Sequence, residues 1–126
     1  MKNEAPKPGR RVRGSRTGRP VMAALDLLGR RGTLRILWVL RDGVALTFRD
    51  LAAAAALAPA TLNTRLSELR DAQLLAADDG YHLTPLGDEL VAALTPLWSW
   101  SNVWSQRLSA PARKTRAPAR RRTGSA

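Results

Sequence analysis

Apolar positions between Val21 and Leu108 recur with a helical period in several runs and alternate briefly in a few short ones. Val21, Leu25 and Leu28 share one helical face, with Pro20 suited to the start and Gly29 to the end of that helix. Thr33 is placed to cap a second helix, Leu34 to Leu40. Its residues Ile36 to Leu40 are apolar nearly all round, as in a helix at the centre of a core. Asp42-Gly43 reads as a turn, and Val44 to Leu46 as a short strand. From Thr47 to Ala76 the pattern predicts two short helices joined by a tight turn at Leu57-Ala58-Pro59. Thr47 with Asp50 is a near-match to a capping box, and Pro59 fits a first helical position, where its missing N–H costs nothing. In the second of these helices Leu62, Leu66 and Leu69 form a stripe for the core, while Ala60, Asn63, Thr64, Ser67 and Asp71 lie opposite. This is the layout of a helix-turn-helix.

Leu74 to Ala77 and Tyr81 to Leu83 flank Asp78-Asp79-Gly80, a strong turn signal, and predict a small hairpin directly after that helix. Such a hairpin is a wing, here short and carrying two Asp at its tip that phosphates repel. Thr84-Pro85 opens a last helix, with Asp88 and Glu89 suited to the positive end of its dipole. Leu86, Leu90, Leu94, Leu97, Ser101, Trp104 and Leu108 step along one side, and Pro96 should kink that helix or divide it. The expected fold is mainly α with a small β-hairpin wing, a winged helix-turn-helix.

Charge adds what the pattern does not show. The 126 residues carry a formal net charge of +11, which points to a polyanion or an anionic surface as partner. Residues 1–19 hold seven Lys/Arg and one acid, residues 20–108 eight and nine, and residues 109–126 six and none. The ends are also poor in large apolar residues. The expected organisation is therefore a disordered basic arm (1–19), one folded domain (20–108) and a disordered basic tail (109–126). Within the arm Gly18-Arg19-Pro20 matches part of the core of minor-groove AT-hooks, but Thr17 stands where that motif needs another Arg. With 44% apolar residues the middle has enough for a packed core.

Small, hydrogen-bonding side chains at the front of the second motif helix suit a major groove. Pro59, Ala60, Thr61, Asn63, Thr64, Arg65 and Ser67 are the candidate DNA-binding residues, with Thr61, Asn63 and Thr64 as readers of base edges. Arg65 either reaches a phosphate or holds the helix in place. Trp98, Trp100 and Trp104 offer more aromatic surface than so small a domain hides in its own core, which predicts contact with a second subunit. Covering the monomer core is the alternative.

No cysteine is present, so disulfides and thiolate metal sites are excluded. A lone His82 in a wing strand, and acids scattered over helices and turns, provide no acid–base pair, and no glycine-rich loop follows a strand. No catalysis, metal or cofactor is expected. Lacking a run of about 18 apolar residues, the chain is expected not to enter a membrane and to be cytoplasmic, associated with the nucleoid.

Taken in order, these residues resemble the HxlR family of bacterial winged-helix transcription regulators, over roughly Pro20 to Leu108. Pro20-Val21 with Ala24 to Gly29 is similar to the family's opening helix, and Thr33-Leu34 with Ile36-Leu37 to its second. Phe48-Arg49-Asp50-Leu51 is similar to its Phe-x-Glu-Leu start of the third. Thr61 to Leu66 with Leu69 follows its Leu-x-x-Arg-Leu-x-x-Leu recognition frame, and Tyr81-His82-Leu83-Thr84 with Gly87 its Tyr-x-Leu-Thr-x-x-Gly passage out of the wing. The resemblance implies a homodimer joined through the first and last helices, here Val21, Leu25, Leu28, Leu97, Trp98, Trp100 and Trp104, that binds operator DNA to control transcription. Arg19 stands where the family commonly has Cys, so its thiol sensing is not implied. Gly32 replaces its usual Trp, Gln73 its usual Gly, and the wing is shorter. Two other functions remain open from the sequence: an architectural DNA-binding protein with slight sequence preference, and a winged-helix module for protein contacts. Any small-molecule effector is unspecified.

Overall fold

A computed structural model describes residues 4–9 and 19–110. The element order is α1 (Pro20–Leu28), α2 (Thr33–Val39), α3 (Phe48–Ala55), α4 (Pro59–Asp71), β1 (Leu75–Ala77), β2 (Tyr81–Leu83) and α5 (Pro85–Ser109). This is the expected winged helix-turn-helix. The chain forms two compact units, one up to Val91 and one from Ala92 onward.

In the first unit α2 is the pivot of the core. Its Ile36 and Leu37, with the following Leu40, are wholly buried, as are Leu51 and Ala55 of α3 and Leu62 and Leu69 of α4. Each large side chain so buried contributes about 2 kcal/mol of transfer free energy. The expectation that α2 is buried all round holds for one side only, since Leu34 and Trp38 are partly exposed. The Arg41 guanidinium lies 3.7 Å from the centre of the Trp38 ring and covers part of it.

Thr33 does not cap α2. The N-cap is Gly32 at φ 87°, and Thr33 is the first helical residue, wholly buried, with its hydroxyl unbonded among the described residues. The left-handed turn there demands glycine for a second reason: a Cβ at Gly32 would lie 2.7 Å from a Leu57 methyl. A large aromatic at this position is therefore incompatible with the turn as formed.

β1 and β2 pair antiparallel in the register Leu75↔Leu83, Ala76↔His82 and Ala77↔Tyr81. Asp79 (φ 48°) and Gly80 (φ 98°) make the turn. The short strand expected at Val44–Leu46 is reduced to one bridge, in which Leu46 and Tyr81 exchange both backbone hydrogen bonds at 3.0 and 2.8 Å. Gln73 connects α4 to the wing at φ 65°, a conformation that costs a non-glycine residue about 1–2 kcal/mol. At the far side of the wing Thr84 caps α5 by accepting from the Gly87 N–H at 3.1 Å. Gly87 itself is buried so tightly that a Cβ would stand 2.2 Å from the Leu74 carbonyl oxygen.

Pro96 does not divide α5, which is helical from Pro85 to Ser109. In the second unit Leu94 is buried, whereas Leu97, Trp100, Val103, Trp104 and Leu108 are all about half exposed or more. The apolar stripe read along this helix thus stays largely uncovered beyond Leu94.

Candidate nucleic-acid interface

The helix-turn-helix is built from local caps and one long-range tie. Thr47 Oγ1 accepts from the Asp50 N–H at 3.1 Å and starts α3. The helix stops at Ala56, which turns left-handed (φ 54°) so that the Ala56 and Leu57 N–H groups bond back to Ala53 and Ala52. Arg35 of α2 reaches across and donates from Nη1 to the Ala55 carbonyl at 3.0 Å, satisfying an acceptor that the helix end leaves free. Pro59 then opens α4 at its first position, and Leu62 N–H bonds to the Ala58 carbonyl at 2.9 Å.

On α4 the stripe Leu62, Leu66 and Leu69 is buried, and the opposite face is presented to solvent. Pro59, Ala60 and Asn63 are exposed, and Thr61, Thr64, Arg65 and Ser67 are partly buried at the flanks. Asn63 makes no hydrogen bond or ion pair among the described residues, so its amide is available as donor and acceptor. Thr64 already donates its hydroxyl to the Ala60 carbonyl at 3.1 Å and keeps only acceptor capacity. Arg65 turns inward: its Nε lies 3.2 Å from Glu68 Oε1, with the side chain 17% exposed. Beside α4 an open trough of about 830 Å³ runs to the wing, lined among others by Asn63, Ser67, Arg70, Ala76 and Tyr81.

The wing tip holds a titrating pair. His82 Nε2 is hydrogen bonded to Asp78 Oδ1, and Nδ1–H meets the Leu83 carbonyl at 3.1 Å. The bond to Asp78 first, and the Leu83 carbonyl second, raise the His82 pKa; the same hydrogen bond and the imidazolium charge lower that of Asp78. Both shifts favour the charged pair. Its contribution to hairpin stability is therefore present between the ordinary carboxylate and imidazole ranges. It is lost as pH rises through the raised His82 value, and again as pH falls through the lowered Asp78 value. The pair is exposed, so its effect on stability is small. Proton NMR titration should place the His82 midpoint above that of the unfolded chain, and Asp78→Asn should return it downward. A midpoint indifferent to that substitution would rule out the pair.

The candidate subunit-contact residues fall in both units. Val21 and Leu25 on α1 are more than half exposed, and Leu28 is half-buried. On α5 Leu97, Trp100 and Trp104 are exposed and Trp98 is half-buried. The Trp100 and Trp104 rings stack at 5.5 Å and 13°.

Two of the features not visible in the sequence bear directly on the surroundings of this site. One is the Arg35 tie. The other is the path of residues 4–9, expected to belong to a disordered arm: Ala5 is buried, its N–H donates to Asp71 Oδ2 at 3.0 Å, and Lys7 Nζ lies 3.0 Å from the same oxygen. Pro6 and Pro8 wall an apolar cavity of about 350 Å³ with Leu27, Leu74 and Leu90. The AT-hook fragment and the remainder of both basic ends lie almost wholly outside the described residues. Among those described, no helix is long and apolar enough to cross a membrane, and no group of His, Asp and Glu is arranged to hold a metal.

No protein-family model matches the chain. An uncharacterized HTH-type transcriptional regulator of Methanocaldococcus jannaschii is 30% identical over 91 residues, which span 68% of this chain and 85% of that protein. Of solved structures, the quinone-bound YodB from B. subtilis superimposes with a TM-score of 0.61 at 27% identity, over 65% of this chain and 94% of that one. A possible HxlR family transcriptional factor from Thermoplasma volcanium gives 0.59 at 27% identity, over 66% and 82%. With the motif residues on α1, α3, α4 and the wing placed as described, the chain belongs to the HxlR-type winged helix-turn-helix transcriptional regulators.

Proposed function

We propose that this protein binds an operator as a homodimer, with α4 in the major groove and the basic ends adding affinity for phosphate. The observation that carries the reading is the two-sidedness of α4. Leu62, Leu66 and Leu69 are anchored in the core, while Pro59, Ala60 and Asn63 face outward without competing partners. An exposed amide on a helix of that kind matches the donor–acceptor pair that adenine offers in the major groove. Thr61, Thr64 and Ser67 flank it. Arg65 is turned toward Glu68 of the same helix and leaves base reading to its exposed neighbours. The exposed apolar residues of α1 and α5 support two-fold assembly, because half exposure of so many large side chains is unusual for a free monomer.

Footprinting followed by affinity measurements on Asn63→Ala tests the reading. The parent should protect a discrete site of one to two helical turns. The variant should lose about 1–3 kcal/mol of preference for that site and bind scrambled DNA almost as before. An equal loss on all sequences would place Asn63 among the phosphate contacts. The charge distribution favours one second reading. Since residues 20–108 are nearly neutral and the ends hold the positive excess, the ends alone are enough for an architectural role, with protection spread evenly along the DNA.

A further inference from the structure

We propose that Arg30 and Glu68 form a clamp that sets the rotation of α4 against α1, making them positioning residues for DNA reading although neither faces the groove. The inference rests on the operator reading above. Arg30 follows α1 directly after Gly29, and its two terminal nitrogens diverge. Nη1 donates to Glu68 Oε2 at 2.6 Å, and Nη2 lies 3.4 Å from Asp26 Oδ2 in the last turn of α1. Glu68 is 5% exposed and has Arg65 Nε at 3.2 Å on its other oxygen. Two acids and two arginines thus balance their charges between the helices.

An ionic cluster at such burial is seldom the most stable filling, since well-packed apolar side chains of similar volume often do as well or better. What it supplies is direction. The leucine stripe of α4 tolerates some rotation because apolar contacts have no preferred angle, whereas a charged hydrogen bond weakens steeply with displacement. A side chain tip sits about 6 Å from the helix axis, so a rotation of about 20° moves it about 2 Å. That displacement breaks a base contact as surely as it breaks the clamp. Glu68 stands one turn after Thr64 and next to Ser67, so its hold acts where the candidate reading face lies. Through Asp26 the same clamp refers α4 to α1, which in the proposed dimer fixes the distance between half-sites.

The test uses the full chain and two variants. Arg30→Met with Glu68→Met removes one charge of each sign and leaves the net charge unchanged. Arg30→Lys keeps the charge but cannot span both carboxylates. The affinity ratio of the preferred site to scrambled DNA is measured for each, with operators whose half-sites are moved apart or together by one base pair. Expected is a fall of roughly tenfold or more in the ratio, the scale of one mismatched pair, with scrambled-DNA binding retained and tolerance to altered spacing increased. The melting temperature of each variant separates a loss of stability from a loss of site preference. If the double variant does not fold, Arg30→Lys carries the same expectation on its own. A folded variant with the parent's ratio and spacing preference overturns the clamp while leaving the operator reading intact. A parent chain without any preferred site overturns both.

Discussion

Glutamine at Arg10, Arg11, Arg13 and Arg16, and at the six basic residues beyond Ser109, should lower affinity for every DNA sequence by orders of magnitude at moderate salt while the preferred site stays the same. The middle of the chain is nearly neutral, so most of the counterion release on binding should come from the two ends. Each phosphate neutralised contributes about −0.9 to the slope of log affinity against log salt, and the substituted protein should show a slope flatter by several units. Substitution is preferable to truncation at residue 20. Truncation removes Ala5 and Lys7 from Asp71 and strips Pro6 and Pro8 from the apolar cavity, so a loss of binding would mix charge with stability. Titrations over a range of salt decide the matter. A substituted chain with the parent's slope and affinity would remove the ends from the account of DNA binding, and one that lost site preference would move recognition out of α4.

Replacing Trp100 and Trp104 with Ser should give monomers by sedimentation and weaken operator binding steeply, because a monomer offers one reading helix for two half-sites. These rings stack on one another yet remain 55% and 52% exposed, so the stack alone does not shelter them from water. Aromatic side chains bury 150–250 Å² each when fully covered, which at about 25 cal/mol/Å² makes the pair worth several kcal/mol per subunit in an interface. Removing it from both subunits exceeds the margin of an ordinary dimer. Dimers of undiminished stability would mean that the seam lies elsewhere on the surface.

The elements legible in the sequence were those fixed by short-range chemistry. Thr47 caps α3 and Pro59 opens α4 because both act within one turn, and the spacing of Leu62, Leu66 and Leu69 marks a core face whatever lies opposite. The hairpin was legible from Asp78-Asp79-Gly80. What escaped was made by long side chains reaching between distant segments: Arg35 to Ala55, Arg30 to Glu68, and the Asp71 carboxylate to Ala5 across 66 positions. No local pattern encodes such pairs. Backbone strain escaped as well, since Asp42, Ala56 and Gln73 adopt positive φ with residues that seldom do so. Thr33 shows the limit of capping rules. Its type fits an N-cap, but the turn before it needs the freedom of glycine, and the hydroxyl ends inside. On α4 the candidate reading face was legible as polarity, while the inward turn of Arg65 depended on a partner three residues along whose own burial only the fold shows.

The seat of Gly87 governs how the wing behaves as a mechanical part. The Thr84 N–H and the missing side chain at 87 both bring the start of α5 against the Leu74 carbonyl, with no room for even one carbon between them. Strand β1 and the first turn of the last helix are thereby riveted together at the base of the hairpin. Swinging the hairpin away from α5 would break the Thr84–Leu74 hydrogen bond and open the close contact at Gly87.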